Sequence, residues 1–113
     1  MPTIVISMDS RKMENPDLDI RYLLPDRIEE WSEGAVSDDG YEYIDEEGHI
    51  LGVWLDTEDA EGWWPRIVEL LKTEQFCEND LSQSAQVLIS EKSGAEFETC
   101  RQVWPEESKE CLS

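Results

Sequence analysis

Carboxylates dominate the chemistry available to this chain, and they are unevenly spread. Between Arg27 and Arg66 lie 38 residues, 28–65, with thirteen acids and no Lys or Arg; the other 75 residues carry fifteen acids and nine bases. The charge is therefore −13 in one-third of the chain and −6 in the rest, for −19 in total. The densest part, "YEYIDEEGHILGVWLDTEDAEGWW", sets eight acids among five aromatic residues. Side chains of this kind can hold a divalent cation, exchange protons as an acid and base pair, or occupy the cationic groups of a partner.

The first two uses find little support. Neither "DTEDAEG" nor "DDGYEYIDEEG" places acids at alternate positions before a Gly in the sixth and a Glu in the twelfth, as a calcium loop requires. With 28 acids, a pair such as Glu46 and Glu47 carries almost no information about catalysis. His49 is the only histidine, which removes any two-histidine zinc site or relay. There is no glycine-rich phosphate loop, nucleophile elbow or Cys/His pattern. No cofactor or metal and no enzymatic role are expected; an enzyme using His49 or a carboxylate pair ranks last.

The third use fits best. Phosphate backbones and anionic membranes need Lys and Arg, so neither nucleic acid nor membrane is an expected partner. A basic protein is the natural complement, because opposite potentials steer encounter. The expected contact set is Glu42, Asp45, Glu46, Glu47, Asp56, Glu58, Asp59 and Glu61, with Trp54 or Trp63 filling an apolar slot. Ordinary core packing competes for both tryptophans and is preferred for Trp31 and Trp64. For the acids, the competing reading is a solvated face that keeps a small protein soluble.

The remaining composition bounds the molecule. A length of 113 residues, 39% hydrophobic, suits one domain with one core. "MPTIVISMDSRK" has only a short apolar run and no preceding basic region, so it does not read as a signal peptide, and no segment is long enough to span a bilayer; a cytoplasmic protein is expected. Cys77, Cys100 and Cys111 are odd in number and widely spaced, which fits free thiols. In "ECLS", Cys111 is third from the end, where prenylation needs it fourth.

The elements that position these groups follow from periodicity. Thr3 to Met8 alternates and is β-branched, a first strand. In "ENPDLDIRYLLPDRIEEWSEG", Asn15 can cap and Pro16 can open a helix that Gly34 ends; Ile20, Leu24, Ile28 and Trp31 form its stripe. Pro25 should kink that helix or start it anew. "SDDG" reads as a turn, and Tyr41–Ile44 and His49–Leu55 flank "DEEG" as a hairpin. "DTED" caps a second helix with Ala60, Trp64, Ile67, Val68 and Leu71 in phase, its first turn broken by Gly62 and Pro65. "AQVLIS" is a short strand, and "AEFETCRQV" a weaker alternating run.

"YLLPDRIEEW" and "GWWPRIVELL" both set two large apolar residues before a Pro and an Ile soon after, which suggests a duplicated βαβ unit. The simplest matching fold is α+β, a two-layer ferredoxin-like sandwich with the order β-α-β-β-α-β, one optional C-terminal strand and both helices on one sheet face. The expected domain covers 1–104, with 105–113 a disordered tail. On the face away from the helices, Ile50 and Trp54 would be open unless the C-terminal run folds over them.

Small acidic domains of this character are similar to bacterial immunity proteins in their physics, with no shared motif. The expected function is a cytosolic binding protein that neutralises a basic partner by occlusion, most specifically an immunity or inhibitor protein for a nuclease or other cationic toxin. The alternative is a housekeeping or regulatory domain whose acidity reflects a saline cytoplasm. Charge of that origin should be spread over the whole surface.

Overall fold

The computed structural model describes residues 2–9, 11, 20–44, 46–74, 85–92 and 96–104. Asn15, Pro16, Asp45, Cys77, Cys111 and the tail at 105–113 lie outside them.

Chain order is β1 (Thr3–Asp9), α1 (Ile20–Trp31), β2 (Val36–Tyr43), β3 (Ile50–Thr57), α2 (Ala60–Thr73), β4 (Ala85–Ser90), a 3-10 turn (Phe97–Thr99) and β5 (Arg101–Trp104). The strands form one antiparallel sheet in the order β2-β3-β1-β4-β5. The first four strands have the ferredoxin-like arrangement, and β5 is the added C-terminal strand. β1 lies at the centre and is buried from Thr3 to Met8, as its apolar residues on both faces demand.

Alternation along the strands divides the core in two. Ile4, Ile6 and Met8 of β1, Leu51, Val53 and Leu55 of β3, and Val87 and Ile89 of β4 face both helices. α1 contributes Ile20, Leu24 and Ile28, and α2 contributes Ala60, Ile67, Val68 and Leu71. On the other face Val5, Trp54 and Leu88 form a second cluster, against which Ile44, Phe97 and Cys100 pack. The C-terminal run therefore does fold over that face, through the 3-10 turn that precedes β5. Burial pushes the Cys100 thiol above its ordinary range, which keeps it protonated at neutral pH.

Three local expectations need correction. First, α1 runs as a single helix through Pro25 rather than starting anew, and α2 runs unbroken through Gly62 and Pro65. Each Pro is the sixth residue of its helix, past the free donors of the first turn, so each removes one backbone bond at a cost of about 3 kcal/mol. Packing offsets that cost: Leu24 and Ile28 are fully buried in α1, as are Ile67 and Leu71 in α2. The likeness of the two Pro-containing stretches thus carries into space, with Leu24 matched to Trp64, Ile28 to Val68 and Trp31 to Leu71, all packed on the main core.

Second, "SDDG" is not a turn between elements. It lies inside β2 as a β-bulge, where the register to β3 shifts between Asp38 and Tyr41. The turn chemistry is nevertheless present: Gly40 has φ +100°, and its N–H donates to Asp38 Oδ1 at 2.8 Å. An Asx-type turn and a strand are compatible when the extra residues bulge out. Third, "AEFETCRQV" supplies a strand only from Arg101 onward, extended through Trp104.

Gly52 has a packing role that composition conceals. A Cβ built there would lie 2.7 Å from the Trp54 ring and 2.9 Å from Ile44 Cδ1, so the indole lies along the sheet in the space glycine leaves. A Gly52→Ala protein should lose about 1–3 kcal/mol of stability through overpacking, measured by urea unfolding, with the Trp54 contribution to fluorescence altered in the native state.

Candidate functional site

The fold divides the expected contact residues. β3 is eight residues long, about 3.3 Å each, so its ends are roughly 25 Å apart. Glu46 and Glu47 lie in the turn before it, whereas Asp56, Glu58, Asp59 and Glu61 lie at its end and beyond. Glu42 is exposed on β2, opposite Gly52. These acids make two surfaces, not one.

The tryptophans are committed to packing. Trp54 is 9% exposed and belongs to the second cluster, so it is not an open anchor. Trp63 packs edge-to-face on Trp31, with ring centroids 5.6 Å apart, and carries the Arg66 guanidinium 4.9 Å above its ring. That pair closes the gap between the end of α1 and the start of α2. Trp63 is half-buried there.

Some of the acids have structural duties. Asp59 caps α2, accepting the Gly62 N–H at 3.1 Å. Glu61 lies 2.7 Å from Arg101 in an exposed ion pair. Glu47 is 3.4 Å from His49 Nδ1, and the imidazole is partly exposed beside the turn. Among the described residues no group of three or more His, Cys, Asp or Glu could hold a metal ion.

The end of the molecule that gathers most charge includes residues the sequence reading did not single out. α1 finishes with Glu29, Glu30 and Trp31, has no base in its last turn, and is followed by Glu33 at φ 56° and Gly34 at φ 87°. The negative end of the helix dipole favours cations, so these carboxylates stand against it. Asp26, Glu29, Glu30, Glu33 and Gly34 line a shallow hollow there. Next to it is the β2 bulge, pinned by the Asp38 N–H donating to Glu29 Oε1 at 3.3 Å.

Because Val36 pairs with Thr57 and Ser37 with Asp56, the start of β2 lies beside the end of β3. The Asp39 carboxyl is consequently held above its usual range, first by partial burial and then by the charges of Asp56 and Asp38. Beyond β3 follow Glu58 and Asp59, which with Glu61, Glu91, Lys92 and Arg101 line an open cleft of about 950 Å³. Asp38, Asp39, Glu42, Glu46, Glu58 and Asp59 form no ion pair among the described residues. The signal for the missed acids was the base-free stretch itself, which already included Glu29, Glu30, Glu33, Asp38 and Asp39.

Elsewhere one acid is matched across elements. Arg27 holds Glu74 in a two-pronged contact, Nε to Oε1 at 3.0 Å and NH2 to Oε2 at 2.7 Å, which ties α1 to the end of α2. The guanidinium holds the Glu74 carboxyl below its usual range.

No protein-family model matches the chain, and no curated protein or solved structure matches it either. The fold therefore rests on strand order, and any function on this surface.

Opposite pH signatures follow for the two carboxyls. A raised pKa in the folded state means that ionised Asp39 costs stability, a cost present at neutral pH and relieved as pH falls through that raised pKa. Asp39→Asn should therefore raise Tm at pH 7 slightly, the gain disappearing in acid. A lowered pKa at Glu74 means stability present above the ordinary carboxylate range and lost as pH falls through the depressed value. Glu74→Gln should lower Tm at pH 7 by a few degrees at most, since the pair is partly exposed, and converge with the parent in acid. Melting curves across pH check both.

Proposed function

We propose that this protein is a cytoplasmic acidic binding protein that neutralises a basic protein partner by electrostatic occlusion, most specifically an immunity or inhibitor protein for a nuclease or other cationic toxin domain. One observation carries the reading: at the end of the fold where α1 finishes and α2 begins, carboxylates outnumber the cations, Arg27 and Arg101 pairing only Glu30 and Glu61, and Asp38, Asp39, Glu58 and Asp59 are left without an ion pair among the described residues although the crowding costs stability. Asp39 is held up first by partial burial and then by Asp56 and Asp38, and Glu29 and Glu30 oppose the dipole of their own helix, with Glu30 alone answered by Arg27. A residue pattern selected for stability alone would place more Lys or Arg there. A partner that brings its own bases would relieve the repulsion on binding, which makes the same charges favourable in the complex.

Occlusion would work through the groups that are not already paired. Asp38, Asp39 and Glu58 would meet cationic side chains that otherwise contact phosphates, while Asp59 continues to cap α2. The role is one of binding, with no step of bond making. Among the described residues no helix is long and apolar enough to cross a membrane, in keeping with a partner met in solution.

The test is capture from source-cell lysate on the immobilised protein at low salt, eluted with rising salt. One stoichiometric basic protein is the expected result. Its association should slow steeply with salt, and an Asp38→Asn, Asp39→Asn, Glu58→Gln variant should bind it with an on-rate reduced about tenfold or more. A smear of basic proteins released at modest salt, or a partner indifferent to salt and to these three carboxyls, would overturn the reading. A fold that needs molar salt would instead favour the salt-adapted alternative.

A further inference from the structure

Tyr22, Leu23, Tyr41 and Tyr43 are the large hydrophobic side chains that stand exposed among the described residues, at 50%, 48%, 41% and 38%. Three of them form a row. Tyr22 meets Tyr41 edge-to-face at 5.8 Å, and Tyr41 meets Tyr43 in the same way at 6.4 Å. The row runs along β2, which among the described residues is the outer strand of the sheet at its end away from β5.

Register shows how that edge is presented. The Ile44 N–H donates to the Ile50 carbonyl at 2.8 Å, so Ile44 and Ile50 are a hydrogen-bonded pair. Tyr43 is one residue away and, by the alternation of antiparallel ladders, turns its own N–H and carbonyl outward from β3. Pairing of Tyr41 with Val53 and Tyr43 with Leu51 puts both rings on the helix-facing side, whereas Glu42, opposite Gly52, projects from the other side. Asp39 lies in the bulge between Asp38 and Tyr41, on the same edge.

From Tyr41 to Tyr43 the edge is thus two-sided, with tyrosines on one side and Glu42 on the other, while Asp38, opposite Leu55, lies on the tyrosine side nearer the start of the strand. We propose that it receives an extended segment of the basic partner as an added antiparallel or parallel strand, with Lys or Arg on one side of the segment and apolar residues on the other. The bases lie over Glu42, with Asp39 in the bulge on the same edge; the apolar residues lie against Tyr41 and Tyr43, with Tyr22 extending the contact from α1. Backbone bonding at Tyr43 supplies affinity, and alternation supplies specificity. A second copy of this chain does not fit, because edge-to-edge pairing would set Glu42 and Asp39 against the same acids in a molecule of charge −19. The inference rests on the basic-partner reading and adds the place and manner of docking.

The probe is a blocked octapeptide of alternating Lys and Val, with Gln for Lys as the neutral control, titrated into the full chain at low ionic strength. In amide-resolved NMR the Lys peptide should shift the Tyr43 amide, slow its hydrogen exchange and move the Tyr41 and Tyr43 ring signals. A Tyr41→Thr, Tyr43→Thr variant, which keeps strand-forming residues, should bind about tenfold more weakly with every acid intact. Tyr22→Ser on the helix surface should weaken binding in a protein whose strand is untouched. N-methylation of alternate peptide nitrogens should abolish protection at Tyr43. Salt-sensitive binding that perturbs only residues around Glu58 and Asp59 would overturn the edge while leaving the basic-partner reading standing. Absence of binding, or equal binding of the Gln peptide, would overturn both. Self-association through Tyr43, unaffected by peptide, would assign the edge to a second copy and overturn the proposal.

Discussion

The pairing of β1 with β3 on one side and β4 on the other is the constraint from which the arrangement of charge follows. Thr3 opposite both Asp56 and Ser90 fixes which strand ends meet, and β2 beside β3 then brings Ser37 against Asp56. Two crossovers through helices packed on the same face leave no choice about where those helices start and stop. The end of α1, the bulge of β2, the end of β3 and the start of α2 all arrive at one end of the molecule. Acids that are separate in sequence become neighbours there because β1 is buried on both faces and cannot slip register without moving its whole apolar set.

That end is held together by apolar and aromatic contacts, not by its charges. Trp31 against Trp63, with Arg66 over the ring, closes the space between the two helices. Ser32, buried at the close of α1, accepts the Val36 N–H at 3.0 Å and turns the chain into β2. The clearest inter-element ion pair, Arg27 with Glu74, lies between α1 and the last residues of α2, at the other end of that second helix. Packing therefore carries the fold while unpaired carboxylates remain available, which is the separation of duties expected of a binding surface mounted on a rigid scaffold.

The sequence made the fold readable because each apolar run had one period and an end signal: alternation in β1 and β4, the Asp59 cap, Gly34 at the close of α1. It misled where one motif serves two geometries. "SDDG" forms its Asx contact within a strand, since an antiparallel edge accommodates extra residues as a bulge, and Pro in a helix interior was tolerated because burial of Leu24 and Ile28 outweighs one lost bond. The candidate surface was legible as a charge block but not as a shape. Linear spacing joined Glu46 to Glu58 across β3, whereas the strand holds them apart, and the assignment of Asp38 and Glu29 to the same end needs the β2–β3 register. Trp54 was ambiguous for a related reason: only the position of Phe97 and Cys100, distant in sequence, decides whether its face is covered.

The separation along β3 also limits how the charges can act together. Ions at physiological strength screen exposed charges over about 8 Å, and the two acidic groups stand roughly three times farther apart. They do not reinforce one another at a single point, and a partner must either engage one group or be long enough to reach from one to the other. The edge of β2 runs between them, with Asp38 and Asp39 at its start and the Glu46 turn just after its end. An extended basic segment laid along that edge is the one shape that meets both groups while burying the tyrosine row, whereas a compact basic lobe can satisfy only the end where α1 and α2 meet.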